Sequence, residues 1–167
     1  MNSPKKIHDS AKPAHGQQVI TACAFIHHNF DGTEKVFLPK RAATKQFLPN
    51  VYELPGGHLD YGEDIIIGLK REIKEEFEKD ITVGDPFAAF TYLNEIKGSH
   101  SIEVVYFAQF DSGTDGIVLH PEDHSGYGWF AESELPKAFD ASKMMDDPEA
   151  LAVKKGFALL KGERTLS

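Results

Sequence analysis

The sequence predicts an α/β fold. Apolar, β-favouring runs at "VITACAFI" and "KVFLPKR" open the chain, a segment with a helical apolar period occupies residues 63–79, and two long β-type runs, "PFAAFTYLNEI" and "SIEVVYFAQF", follow it. Strand, helix and strand signals in that order describe a layered domain in which a helix covers a sheet.

The first two runs are joined by "HNFDGTE", so they form a hairpin with an Asp31-Gly32 corner. A loop, "AATKQFLPN", leads to "VYELPGG", a short strand whose glycines relax the backbone just before the helix begins at Glu63. Within that helix Ile66, Leu69, Ile73 and Phe77 recur at steps of three or four and make one buried stripe. The two later β runs flank "KGSH" and form a second hairpin. After "HPEDHSGYG", the segment "WFAESEL" gives a last short strand running into a turn, and residues 148–161 give a closing helix with Leu151, Phe157 and Leu160 as its buried positions.

The chain has 167 residues, enough for one continuous core, so residues 19–167 are expected to form a single domain behind a disordered N-terminal arm over residues 1–18. Hydrophobic residues make up 41% and charged residues 26%, and no run approaches the roughly 20 apolar residues that span a bilayer. No membrane role is expected. The basic start lacks an apolar stretch behind it, and the single cysteine, Cys23, excludes an internal disulfide framework, which together set a cytoplasmic default. Cys23 itself reads as a small buried thiol. With 18 basic and 26 acidic residues the net charge is -8, which excludes a protein that coats nucleic acid but leaves small phosphorylated ligands open, because a bound metal reverses the local charge.

The chemistry concentrates in "GGHLDYGEDIIIGLKREIKEEFEKD". Glu72, Glu75 and Glu76 fall within an arc of roughly 100° beside the apolar stripe. Like charges at that spacing destabilise a helix by about 0.2–0.5 kcal/mol per pair. Carboxylates gathered at one edge suit Mg²⁺ or Mn²⁺, which prefer oxygen ligands, and a glycine backbone that approaches closely, as at Gly57, adds a carbonyl. The other reading is a solvated helix face with Lys70, Lys74 and Lys79 as local partners, and Arg71 placed to neutralise Glu75 one turn on. Histidines at His27, His28, His120 and His124 lack the cysteines or compact spacing of a zinc site.

Gly57, Glu63, Arg71, Glu72, Ile73, Glu75 and Glu76 stand in the order and spacing of the Nudix hydrolase signature, so this stretch resembles that family. The signature's late glycine and final aliphatic are replaced by Glu78 and Lys79, which leaves the helix exit open. The resemblance, covering about residues 19–161, implies an α/β/α sandwich around a mixed sheet and hydrolysis of a nucleoside diphosphate linked to another group. It also implies that Gly57, Glu72, Glu75 and Glu76 hold the cations and that Arg71 and Glu63 orient the glutamates. Homodimers are common in the family.

The expected function is therefore Mg²⁺-dependent cleavage of a diphosphate linkage in a small nucleotide. A nucleoside triphosphate is favoured over ADP-ribose or a dinucleoside polyphosphate on compactness. A sensing module of the same fold without hydrolysis is the competing class, and an isopentenyl-diphosphate isomerase gains little support from Cys23. Glu72 is the first candidate for general base, followed by Glu122, Asp123 and Glu103. Arg41, Lys45, Phe47, Glu122 and His124 are the candidate substrate contacts: cations for terminal phosphates, a ring to stack on a base, and a loop imidazole beside an acid.

Overall fold

The computed structural model describes residues 15–164. Residues 1–14 of the expected arm and residues 165–167 lie outside that range. Gln18, the last residue of the arm, already begins β1, and before it a turn at residues 15–16 is tied down by Gly16 N donating to the Gly98 carbonyl at 3.0 Å.

Strands β1 (Gln18–Phe30) and β2 (Thr33–Arg41) meet at the expected corner, where Asp31 and Gly32 have φ of 50° and 93°. Positive φ at both central residues is the demand of a tight hairpin turn that matches strand twist. The remaining strands are β3 (Gly56–His58), β4 (Ile81–Asn94), β5 (Ser99–Phe110) and β6 (His124–Ala131), in the sheet order β4-β5-β1-β2-β6 with β3 also on β1. β1 runs parallel to β5 and antiparallel to β2 and β3, so the sheet is mixed. Its second edge is shared: His27–Phe30 pairs with β2, whereas Thr21–Cys23 pairs with β3.

Because side chains alternate along a strand, β1 feeds two cores. Ala22, Ala24 and Ile26 meet Leu69, Ile73 and Phe77 of α1 (Ile65–Phe77), while Cys23 and Phe25 share the opposite core with Val153 and Phe157 of α3 (Pro148–Leu160). The layers are those of an α/β/α sandwich. Three of the four expected stripe residues on α1 are fully buried, each contributing about 1.5–3 kcal/mol; Ile66 sits at the rim. The closing helix is rotated from expectation: Leu151 is 42% exposed, and Ala150, Val153 and Phe157 face the core. The turn expected at the end of "WFAESEL" is a 3-10 turn over Glu132–Lys137, whereas a short α2 (Lys143–Asp146) was not legible in the sequence.

Two strands start earlier than their patterns suggest. β4 reaches back to Ile81, and its register shifts around Pro86, a residue that cannot donate to the ladder. β6 starts at His124 because Gly126 and Gly128 disguise a strand as a loop. Among the described residues no helix is long and apolar enough to cross a membrane.

Asp64 caps the start of α1, its Oδ1 accepting from Ile66 N at 2.9 Å and Ile67 N at 3.1 Å. At the other end Glu78 takes the left-handed conformation, with φ 56°, and its N–H donates to the Lys74 carbonyl. The signature's glycine position is thus held here by a glutamate in the left-handed conformation. Lys79 fills the aliphatic position with its stem and is 4% exposed, its Nζ donating to Ser112 Oγ at 2.7 Å and the Asp115 carbonyl at 2.6 Å. A side chain in the left-handed region costs about 1–2 kcal/mol. Glu78→Gly should therefore raise stability by about 1 kcal/mol in urea unfolding, and an unchanged or lower midpoint would refute the strain at this exit.

Candidate active site

The sharing of β1 between β2 and β3 places the Gly56–His58 strand against the head of α1. Gly56 has φ 150° and lies so close to β1 that a Cβ there would meet the Ala22 carbonyl oxygen at 2.1 Å. A Cβ on Gly57 would lie 2.5 Å from Glu72 Oε2. Gly56 requires glycine, and at Gly57 a side chain would displace the Glu72 carboxyl, which rests on bare backbone.

Arg71 organises the acids around it. Its Nε donates to Glu63 Oε1 at 2.7 Å and Nη2 to Glu63 Oε2 at 2.9 Å, a bidentate fork. Nη1 donates to Glu72 Oε1 at 2.7 Å and Glu75 Oε2 at 3.2 Å, and Nη2 also reaches the His58 carbonyl at 3.1 Å. One guanidinium therefore ties the start of α1, its middle and β3 together. Hydrogen bonds from Arg71 to Glu63, then to Glu72, strengthen its hold on its proton. Two of the three lysines of the alternative reading are engaged away from this cluster: Lys74 pairs with Asp80 at 2.8 Å, and Lys79 turns into the core, while Lys70 is exposed.

Glu76 is not drawn into the fork. Burial, then the charges of Glu53, Glu72 and Asp123, push its carboxyl well above the ordinary range. What exposure it keeps is to the cavity. Among the described residues no group of three or more His, Cys, Asp or Glu side chains is arranged to hold a metal ion as it stands, consistent with the pull of Arg71 on Glu72 and Glu75. The donor set nevertheless fits a hard cation: oxygen ligands only, acidic groups crowded around Glu76, and bare backbone at Gly57. Mg²⁺ needs no all-protein cage because it keeps waters and takes phosphate oxygens.

These groups line one side of a cavity of about 870 Å³. Arg41 and Lys45 also line it, but both are occupied. The Arg41 guanidinium donates to the Phe47 carbonyl at 2.9 Å and to Glu53 Oε2 at 3.0 Å, holding the loop after β2, and Lys45 Nζ donates to Asp123 Oδ1 at 2.5 Å. Phe47 lies nearly parallel to Tyr92, with ring centroids 6.1 Å apart and an 11° interplanar angle. His124 lies behind the wall, its Nε2 against Glu53 Oε1 at 3.1 Å and its ring on Phe77, and Glu122 is exposed; neither lines the cavity.

Sequence reasoning missed Glu53, Tyr92, Phe90 and Glu149 as lining residues. Glu53 stands in "ELPGG" beside the turn and was open to notice. Glu149 had no local signal, because only the docking of α3 brings it here, where it accepts a hydrogen bond from Leu54 N.

Glu103, weighed as a base, lies elsewhere in the cavity, across β1 from β3. Burial is the main reason that its carboxyl is raised from an ordinary 4.5 to about 7; the Cys23 thiol hydrogen-bonds it and partly opposes the rise. Between those two values the native state holds more protons than the unfolded chain, so stability falls as pH rises through the interval. Without divalent cations, urea unfolding should show a loss on the order of 3 kcal/mol from this group between about pH 4.5 and 7, and Glu103→Gln should flatten the decline. Identical slopes in the two proteins would contradict the burial argument.

Comparison with known proteins agrees with this fold. Residues 19–148 match the model of the NUDIX domain family. The fold is similar to that of a C. elegans Ap4A hydrolase in a binary complex, with a TM-score of 0.69 and 23% identity over 86% of this chain and 98% of that one. It is similar as well to a MutT NUDIX hydrolase from Burkholderia pseudomallei, with a TM-score of 0.61 and 24% identity over 83% and 98% of the two chains. The NUDIX domain of Shewanella oneidensis NrtR, complexed with ADP ribose, gives a TM-score of 0.65 and 17% identity over 86% and 88%.

Proposed function

The chain belongs to the NUDIX hydrolase family, and from that premise we propose that it cleaves a diphosphate linkage in a small nucleotide with the help of Mg²⁺, a nucleoside triphosphate being the favoured substrate. The observation that carries this reading is the Arg71-centred set of carboxylates beside the bare backbone of Gly57, on the wall of a cavity large enough for a nucleotide. Nucleotide-type ligands also appear in the names of two similar structures, Ap4A and ADP ribose.

Glu72, Glu75, Glu76 and the Gly57 carbonyl would hold the cation. When bound, it offsets charge growing on the phosphate oxygens and eases ionisation of water. The residues do the rest. Arg71 and Glu63 fix Glu72 in place, so little reorganisation remains when charge moves. Glu72 keeps its Oε2 toward Gly57 while Arg71 holds Oε1, and it is the carboxylate assigned to accept the proton of the attacking water. The pair of Lys45 and Asp123 lies on the same cavity, where a phosphate oxygen can compete with Asp123 for the ammonium.

Incubation with nucleotides and Mg²⁺, followed by identification of the phosphorus-containing products, tests the reading and separates hydrolysis from ligand sensing. Glu76→Gln should lower metal-dependent turnover about 100-fold or more with an unchanged circular dichroism spectrum. Near-normal turnover in that variant, or no cleavage of any nucleotide by the wild type, would refute the assignment.

A further inference from the structure

The cavity has a second polar end that the hydrolytic chemistry does not use. Thr21 and Glu103 both line it, each is 5% exposed, and Thr21 Oγ1 and Glu103 Oε1 have no hydrogen-bond partner. Two unpartnered polar atoms at that depth are unfavourable unless a ligand or water completes them. The residues are direct neighbours in the parallel register of β1 and β5, so they project from the same face of the sheet. Phe90 opposes Glu103 on β4 and supplies a flat apolar wall beside it, with Tyr92 next along the same face. β3 and β5 flank β1 on either side. Glu103 is therefore roughly 10 Å from the Gly56–Gly57 backbone, two strand spacings away. That separation suits a nucleoside whose diphosphate sits at Gly57.

We propose that Glu103 and Thr21 read the base of the bound nucleotide and select bases that carry an exocyclic amine. This inference rests on the cavity being a nucleotide site. Oε1 of a carboxyl bonded through its other oxygen can accept, and the charged groups acting on Glu103, Glu53 and Asp147, are themselves acidic, so no side-chain cation answers it. An amine N–H does. The Thr21 hydroxyl both donates and accepts, so it can serve the adjoining ring atom whichever polarity that atom has. Once the Glu103 carboxyl is ionised, above about pH 7, a base with only a carbonyl at the same edge sets oxygen against oxygen and leaves Glu103 unpaired. A site built to bond a donor discriminates strongly against the analogue that lacks it.

Two substrate pairs isolate the amine: ATP against ITP, and CTP against UTP. At about pH 8.5, where the Glu103 carboxyl is ionised, the wild-type enzyme with Mg²⁺ should favour the amino member of both pairs by about tenfold to a hundredfold in kcat/KM. Glu103→Gln and, separately, Thr21→Val should narrow that ratio. Equal use of the members within about threefold, or a preference for the oxo bases, overturns the proposal, and this wild-type comparison decides even if a variant fails to fold. Calorimetry of AMP against IMP in EDTA reads base selection without turnover. If no triphosphate is cleaved but AMP binds better than IMP, the triphosphate reading falls and base selection stands; equal binding, or none at millimolar concentration, counts against base selection whatever the activity.

Discussion

A carboxylate drawn into a partly buried site loses its hydration, and the structure tolerates this only where a fixed donor replaces the water. At the head of α1 that donor is Arg71. Its planar fork takes Glu63 bidentately and still reaches Glu72, Glu75 and the His58 carbonyl. A lysine is a point charge and does not present five donors in one plane. The guanidinium turns a repulsive run of acids into a fixed array, and the position of α1 relative to β3 follows from it.

Glu76 shows the other side of the same constraint. Left out of the fork, it is surrounded by Glu53, Glu72 and Asp123, and its carboxyl is pushed toward the neutral form. Local stability is given up at the point where a divalent ion would be most welcome. A fully paired cluster would be more stable and would have less to offer a cation.

The cavity has its origin in the strand pairing. Because β1 gives one edge to β3 along Thr21–Cys23 and to β2 along His27–Phe30, the glycine turn is laid beside the central strand. Arg41 holds the loop after β2 through the Phe47 and Leu48 carbonyls, and the start of α3 supplies Asp147, Pro148 and Glu149 to the wall. Arg41 thus shapes the cavity by spending its donors on backbone and Glu53, which explains why a cation that looks available for phosphate in the sequence is engaged in the fold.

What the sequence determined by itself was local. Helical period placed Leu69, Ile73 and Phe77 on the core, the Asp31-Gly32 corner set the first hairpin, and residue spacing put the glutamates on one edge of α1, since all three depend on neighbours within a few positions. Tertiary structure decided the rest. It buried Val153 rather than Leu151, tied up Arg41 and Lys45, moved His124 behind the wall, and joined Thr21, Glu103 and Glu149 into one cavity. Those residues are far apart along the chain, and only the pairing of β1 with β5 and the packing of α3 bring their side chains within reach of a single ligand.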